Sequence, residues 1–97
     1  MRFEWDPAKS RANRTKHGVS FEAARLVFDD PRHVSRLDPH ERREERWQTL
    51  GLIGAGAVLM VVHTYEERDG EEIIRIISAR KADPSERARY ARGDEAD

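Results

Sequence analysis

Polar and apolar residues alternate at the start of the chain and then change to helical spacing. Arg2 to Trp5 are charged and aromatic in turn, which is typical of a short half-buried strand. Asp6 is a favourable N-cap and Pro7 a favourable first helical residue. A helix is therefore predicted from Pro7 to about Lys16, ending before Gly18.

This first helix has two candidate faces. Ala8 and Ala12 form a thin apolar face that we expect to pack against the rest of the protein. The spacing of Lys9, Asn13 and Lys16 by four and three residues puts them on a different, polar stripe, which we expect to face solvent.

A second helix is predicted after Ser20, whose hydroxyl can cap it. Four apolar residues then recur at helical spacing, namely Phe21, Ala24, Val27 and Phe28. The sequence Asp29-Asp30-Pro31 should end this helix, because a proline disfavours helical geometry at the residue before it.

Strand-like segments follow over 33–37, 46–53, 57–65 and 72–79. The run from Val58 to Val62 is apolar at every position, which predicts a central strand covered on both faces. The charged segment 66–70 is predicted to be a hairpin turn, since it ends in Asp69-Gly70.

Alternation along the last strand assigns its side chains to two faces. Ile74, Ile76 and Ser78 should point one way, and the other face should carry Ile73, Arg75, Ile77 and Ala79. Arg75 is then the lone charge on its face.

Asp83, Pro84 and Glu86 indicate a capped final helix that runs to about Arg92. The order β-α-α-β-β-β-β-α predicts an α+β domain, with helices packed on an antiparallel sheet. We expect residues 1–92 to form a single domain and residues 93–97 to be a frayed acidic tail.

Charge and composition restrict the possible functions. The chain has 18 basic and 19 acidic residues, so any nucleic-acid site must be local rather than a general basic coat. Cysteine is absent, which excludes disulfides and thiolate chemistry. We expect a cytoplasmic protein without a membrane span, because no apolar segment is long enough for a signal peptide core or a spanning helix.

Several short motifs together resemble the BrnT toxin family. They are 3–9 (Phe-Glu-Trp-Asp-Pro-Ala-Lys), Asn13, 16–21 (Lys-His-Gly-Val-Ser-Phe), 45–47 (Glu-Arg-Trp), 61–64 (Val-Val-His-Thr) and 75–82 (Arg-Ile-Ile-Ser-Ala-Arg-Lys-Ala). The resemblance covers nearly the whole chain, and it implies a RelE-like ribonuclease fold that inhibits translation by cleaving RNA. It also implies a BrnA-type antitoxin as partner, with DNA contacted only through that antitoxin and a dimer or heterotetramer as the possible assembly.

Metal-free RNA cleavage needs a base for the 2'-hydroxyl, cations for the phosphate and an acid for the leaving oxygen. The catalytic candidates are Arg75, Arg80, His63, Arg46 and Glu44. Arg75 and Arg80 could clamp the phosphate, or they could pair with surface carboxylates such as Glu71 and Glu72. His63 could be acid or base, or a hydrogen-bonded sheet residue. Trp47 could stack a base, but its alternation with Arg46 favours a place in the core.

A second group of residues could contact RNA or the antitoxin, namely Lys9, Lys16, His17, His40, Lys81 and Tyr90. Each has a plainer alternative, such as a solvated helix stripe, a charge at a helix C-terminus or packing of the last helix. No metal-ligand motif or glycine-rich phosphate loop is present, so no cofactor is expected. The rival hypothesis is a non-catalytic module that docks a protein or RNA on the same surface.

Overall fold

The computed structural model describes residues 1–39, 43–54 and 56–93. In chain order the elements are β1 (Arg2–Glu4), α1 (Pro7–His17), α2 (Phe21–Ala24), a 3-10 helix (Arg25–Asp29), β2 (Val34–Leu37), β3 (Trp47–Leu52), β4 (Val58–Arg68), β5 (Glu71–Lys81) and α3 (Pro84–Arg92). The predicted α+β class is confirmed. The predicted second helix has only one α-helical turn before it tightens into the 3-10 helix.

The predicted caps begin all three α-helices. The Asp6 carboxylate accepts a hydrogen bond from the backbone N–H of Ala8, and the Ser20 hydroxyl accepts one from Ala23. Asp83 and Glu86 form a reciprocal capping box at the start of α3. These contacts satisfy backbone donors that have no partner within the first helical turn. No helix within the described ranges is long and apolar enough to cross a membrane.

The five strands form one sheet in the order β1-β5-β4-β3-β2, so β4 is central, as its apolar run predicts. Neighbouring strands are antiparallel except that β1 runs parallel to β5, with Arg2 opposite Ile73 and Glu4 opposite Arg75. The sheet is therefore mixed rather than purely antiparallel. Residue alternation within β1 carries no information about its direction, which depends on the strand beside it.

A helical layer covers each side of the sheet. On the first side, called the α1 side, Phe21, Ala24 and Val27 pack on Leu59, Val61 and Ile74. On the second side, called the α3 side, Tyr90 packs against a smaller cluster that contains Val34, Leu50, Met60, Val62 and Ala82. The sheet is thus the middle layer of three, and α3 covers only part of its side.

The predicted faces of α1 are wrong. Ala8 and Ala12 are exposed, whereas Ser10 and Asn13 are buried. The Asn13 amide donates hydrogen bonds of 2.8 Å to the carbonyls of Val19 and Ala79, and its oxygen accepts from the Ala79 N–H at 3.3 Å. This part of β5 extends beyond β1, so its outer backbone groups need another partner. A polar side chain therefore occupies the packing face.

The β4–β5 hairpin is longer than predicted. Glu66 to Arg68 belong to β4, and the turn consists of Asp69 and Gly70 alone. Both turn residues have positive φ, at 52° and 80°, which is the geometry that a two-residue hairpin of the favoured hand requires. The charged residues 66–68 are compatible with a strand here because both of their sides are exposed.

A β-bulge in β5 changes the predicted faces of that strand. His63 pairs with Ile76 and Val62 pairs with Ser78, so Ile77 is an extra residue without a partner in β4. Ala79 therefore joins Ile74 and Ile76 in the core on the α1 side. Beyond the bulge the alternation is shifted by one position, which brings Arg80 to the same side of the sheet as Arg75.

Candidate functional site

Two of the predicted catalytic arginines lie in one row across the sheet. Arg75 is the partner of Thr64 in the β4–β5 ladder. Arg46 immediately precedes Trp47, which pairs with His63, and its carbonyl accepts a hydrogen bond of 2.7 Å from the Asp38 N–H. The β3–β4 pairs end at Trp47 and His63, and the same antiparallel register continued by one residue places Arg46 beside Thr64. With strands about 4.8 Å apart, the Cα atoms of Arg46 and Arg75 are about 10 Å apart.

This row belongs to an area on the α3 side of the sheet that no helix or strand of the described residues covers, and we call this area the open face. It consists of Arg36, Arg46, Gln48, Thr64 and Arg75. Arg75 is exposed and the other four are half-buried. The open face exists because α3 packs over the far half of this side, on the cluster around Leu50 and Met60.

Carboxylates accompany the arginines of the open face. Glu44 accepts a hydrogen bond of 3.0 Å from Arg46 Nε. At the other edge, Arg68 bonds to both Glu4 and Glu66, and its hydrogen bonds hold the pKa of each carboxyl below its ordinary value. Arg75 adds a weaker lowering of the pKa of Glu66. Guanidinium groups and carboxylates therefore lie together at both edges of the open face.

Arg36 and Thr64 were missed as site residues by sequence reasoning. Arg36 Nε donates to Gln48 Oε1 at 3.3 Å, which joins β2 and β3 on the open face. Thr64 separates Arg46 from Arg75. Neither residue stands out in the sequence, because only the strand register shows that they share a face with the arginines.

Arg80 faces the same side as Arg75 but is bound elsewhere. Its guanidinium donates to both carboxylate oxygens of Glu86, at 2.8 and 3.0 Å, and so joins the end of β5 to the capping box of α3. Five residues of strand separate Arg80 from Arg75 by about 15 Å. The expectation that these two arginines clamp one phosphate is therefore not supported. Arg80 instead pairs with a carboxylate, as the alternative proposed, and that carboxylate belongs to Glu86.

His63 and Arg75 lie on opposite sides of the sheet, so the structure does not support His63 as the acid or base of a site at Arg75. Its side chain lies on the α1 side, is 0% exposed and contacts the ring of Phe28 at 4.9 Å. Its Nε2 is 2.6 Å from the Thr49 hydroxyl. Burial lowers the pKa of His63 to about 4, so the ring is neutral at pH 7. His63 is a hydrogen-bonded sheet residue, which is the alternative left open by the sequence.

Most of the predicted binding residues lie away from the open face. Lys9, Lys16 and His17 are exposed on α1, and Lys81 is exposed at the end of β5, where it pairs with Leu59 on the α1 side. His40 lies outside the described residues. These side chains form no common site with Arg75, since the sheet separates them.

Tyr90 links α3 to the rest of the protein through a hydrogen bond and through packing. Its hydroxyl donates to Asp30 Oδ2 at 2.5 Å, and the same carboxylate accepts from the backbone N–H groups of Leu52 and Arg32. The Tyr90 ring also packs within the core cluster on the α3 side. Tyr90 is therefore positioned by packing and by hydrogen bonding. Trp47, expected in the core, is half-buried and packs edge-on against Tyr65.

Among residues 1–39, 43–54 and 56–93, no group of three or more His, Asp or Glu side chains is arranged to hold a metal ion. The chemistry available at the open face is that of guanidinium, carboxylate, amide and hydroxyl groups.

Comparison with known proteins agrees with this architecture. The chain is similar to the 1.1 Å crystal structure of the Brucella abortus ribonuclease toxin BrnT, with a TM-score of 0.58 and 21% sequence identity over 86% of this chain and 97% of that chain. No curated protein sequence matches the chain. The family described as the ribonuclease toxin BrnT of type II toxin-antitoxin systems matches residues 5–86. The chain therefore belongs to the BrnT family of ribonuclease toxins.

Proposed function

We propose that the chain is a metal-independent endoribonuclease that binds and cleaves RNA at the open face, and that a BrnA-type antitoxin neutralises it. The observation that carries this proposal is the cross-strand row of Arg46, Thr64 and Arg75 on the uncovered half of the sheet. Family membership supports an RNA substrate and an antitoxin partner.

The two arginines suit a single phosphate group. Arg46 and Arg75 lie one strand to either side of Thr64, with Cα atoms about 10 Å apart, so their long side chains can both reach a phosphate held above Thr64. An arginine stays charged at any relevant pH and donates two parallel hydrogen bonds to phosphate oxygens. Such contacts stabilise the additional charge that develops on the phosphate in the transition state.

Proton transfer at this site falls to a carboxylate. The Glu44 carboxylate accepts a hydrogen bond of 3.0 Å from Arg46 Nε, so it lies beside the position proposed for the phosphate. In the proposed step Glu44 takes the 2'-hydroxyl proton, the 2'-oxygen bonds to phosphorus and the bond to the 5'-oxygen breaks. The products are a 2',3'-cyclic phosphate and a 5'-hydroxyl, after the leaving oxygen has gained a proton from solvent.

The test is cleavage of a defined RNA by the purified protein in EDTA, with analysis of the ends. We expect 2',3'-cyclic phosphate ends from the wild type. Arg75→Ala should lower the rate about 100-fold or more, as removal of a transition-state donor does in other enzymes. Arg46→Ala should have a comparable effect.

Arg14→Ala is the matched control, because Arg14 is an exposed arginine on α1, on the far side of the sheet. It should cleave at the wild-type rate. Cleavage that requires an added divalent cation would refute the metal-independent mechanism. A folded wild type that cleaves no RNA, even with ribosomes present, would instead support the non-catalytic docking module.

A further inference from the structure

Among the exposed large apolar side chains in the described part of the chain, Met1 lies at the N-terminus and the other four fall into two areas. Leu26 and Leu52 border a shallow groove beside Pro31. Leu37 and Tyr65 lie at the opposite end of β2 and β4, on the α1 side, with exposed fractions of 50% and 37%. Trp47 lies between them, paired with Leu37 in the ladder and 5.5 Å from the Tyr65 ring.

We call the area formed by Leu37, Trp47 and Tyr65 the aromatic patch. It extends beyond the helices of the α1 side, which pack over the more central residues Val61 and Ile76. Tryptophan and tyrosine are enriched among the anchor residues of protein interfaces, and Leu37 adds exposed apolar area beside them.

An unfavourable pair of charges borders the aromatic patch. Glu67 and Glu72 are direct cross-strand partners, two residues beyond the pair formed by Tyr65 and Ile74, and so point to the same side as Tyr65. Both are exposed. Like charges directly opposite each other destabilise a sheet. Burial, together with the nearby Glu72, raises the pKa of Tyr65. A cationic group bound here would relieve this repulsion.

The negative charge of Glu67 and Glu72 distinguishes between the possible binding partners of the aromatic patch. RNA would bring phosphates to the two glutamates and would be repelled. A second copy of the chain, packed patch to patch about a two-fold axis, would bring its own glutamates into the same interface. A protein segment that carries apolar side chains flanked by lysine or arginine would fit both the patch and the charge.

We propose that the antitoxin docks on the aromatic patch through a segment of this kind, an inference that rests on the proposed function for its partner. The position of the aromatic patch is compatible with inhibition of RNA cleavage at the open face. Trp47 and Tyr65 are the chain neighbours of Arg46 and Thr64, so an antitoxin anchored on the α1 side lies at the same end of the sheet as the open face.

The experiment measures the affinity of the purified antitoxin encoded with this toxin for wild type and variants, by titration calorimetry at low and high salt. The double variant Glu67→Lys/Glu72→Lys reverses the charge but keeps two like charges opposite each other, so folding stability should change little. We expect at least 10-fold weaker binding at low salt, with a smaller difference at high salt. Leu37→Ser should weaken binding at both salt concentrations.

Glu71→Lys is the matched control, since Glu71 is the neighbour of Glu72 on β5 but faces the other side of the sheet. It should bind the antitoxin within about twofold of wild type, because its exposed ion pair with Arg2 contributes little. The double variant should keep its RNA cleavage.

Four results would contradict the proposal that the antitoxin docks on the aromatic patch. The first is unchanged antitoxin affinity in both the charge-reversed variant and Leu37→Ser. The second is loss of RNA cleavage in the folded double variant, which would assign the patch to RNA. The third is a wild-type dimer that Leu37→Ser dissociates, which would assign it to a second copy. The fourth is a wild type that does not bind the antitoxin at all, which would also refute the partner in the proposed function.

Discussion

Replacing Gly51 with alanine tests how closely the 3-10 helix lies against the sheet. Gly51 is a buried residue of β3, and its φ is not in the left-handed region. A Cβ atom added there would lie 2.6 Å from Val27 Cβ and 2.8 Å from the Val27 carbonyl oxygen. The obstacle includes backbone, so no side-chain rotation can remove the overlap. The helix would have to move away from the strand.

The size of the effect follows from this geometry. Overpacking a core typically costs about 1–3 kcal/mol, and a clash with backbone belongs at the upper end of that range. We therefore expect Gly51→Ala to lower the free energy of unfolding by about 3 kcal/mol. For a domain of about 100 residues, each kcal/mol corresponds to about 4–8 °C in Tm, so Tm should fall by about 12–24 °C.

The assay is urea and thermal unfolding followed by circular dichroism, with Gly54→Ala as control. A Cβ at Gly54 would meet no atom within 4 Å, and its φ is not positive. Gly54→Ala should therefore be as stable as wild type or about 0.4–1 kcal/mol more stable, because alanine restricts the unfolded chain. A Gly51→Ala protein within about 0.5 kcal/mol of wild type would refute the close approach of helix and strand.

Two further predictions concern residues first considered as functional. Because burial lowers the pKa of His63 from 6.5 to about 4, its contribution to stability is fully present above pH 6.5 and is lost as the pH falls towards 4. The loss should be about 3 kcal/mol between pH 7 and pH 4. His63→Gln should reduce this pH dependence in urea unfolding, and parallel profiles for variant and wild type would contradict it. Tyr90→Phe should lower the free energy of unfolding by about 1–2 kcal/mol, since it removes the hydrogen bond to Asp30, while RNA cleavage continues. Loss of cleavage in the folded variant would instead place Tyr90 at the RNA.

Features that depend on neighbours in the sequence could be predicted from the sequence. Asp6, Ser20 and Asp83 cap their helices because a cap acts on backbone donors two or three residues away. The apolar run from Val58 to Val62 indicated the central strand because both faces of that strand are covered. Arg75 was predicted to be a lone charge on its face, and the structure leaves it exposed on the open face.

The errors share a different cause. The alternation of β5 was counted correctly as far as Ile76, but the bulge at Ile77 depends on pairing with Val62 and His63, which are distant in sequence. Asn13 looked like a solvent-facing residue because the need it meets, the open backbone of Ala79, is 66 positions away. The two alternatives for His63 stayed open because strand register determines which side of the sheet it faces, and the sequence does not state the register.

The sequence by itself therefore determined the family, the α+β class, the helix caps and the identity of the central strand. Tertiary structure decided where the candidate residues lie: it placed Arg46 and Arg75 on either side of Thr64, bound Arg80 to Glu86 and buried His63 on the other side of the sheet. The physical reason is the distance along the sequence between the residues that determine each feature. Caps and periodicity arise within a few residues of the chain, whereas a site built across three strands depends on pairings between residues that are far apart in sequence.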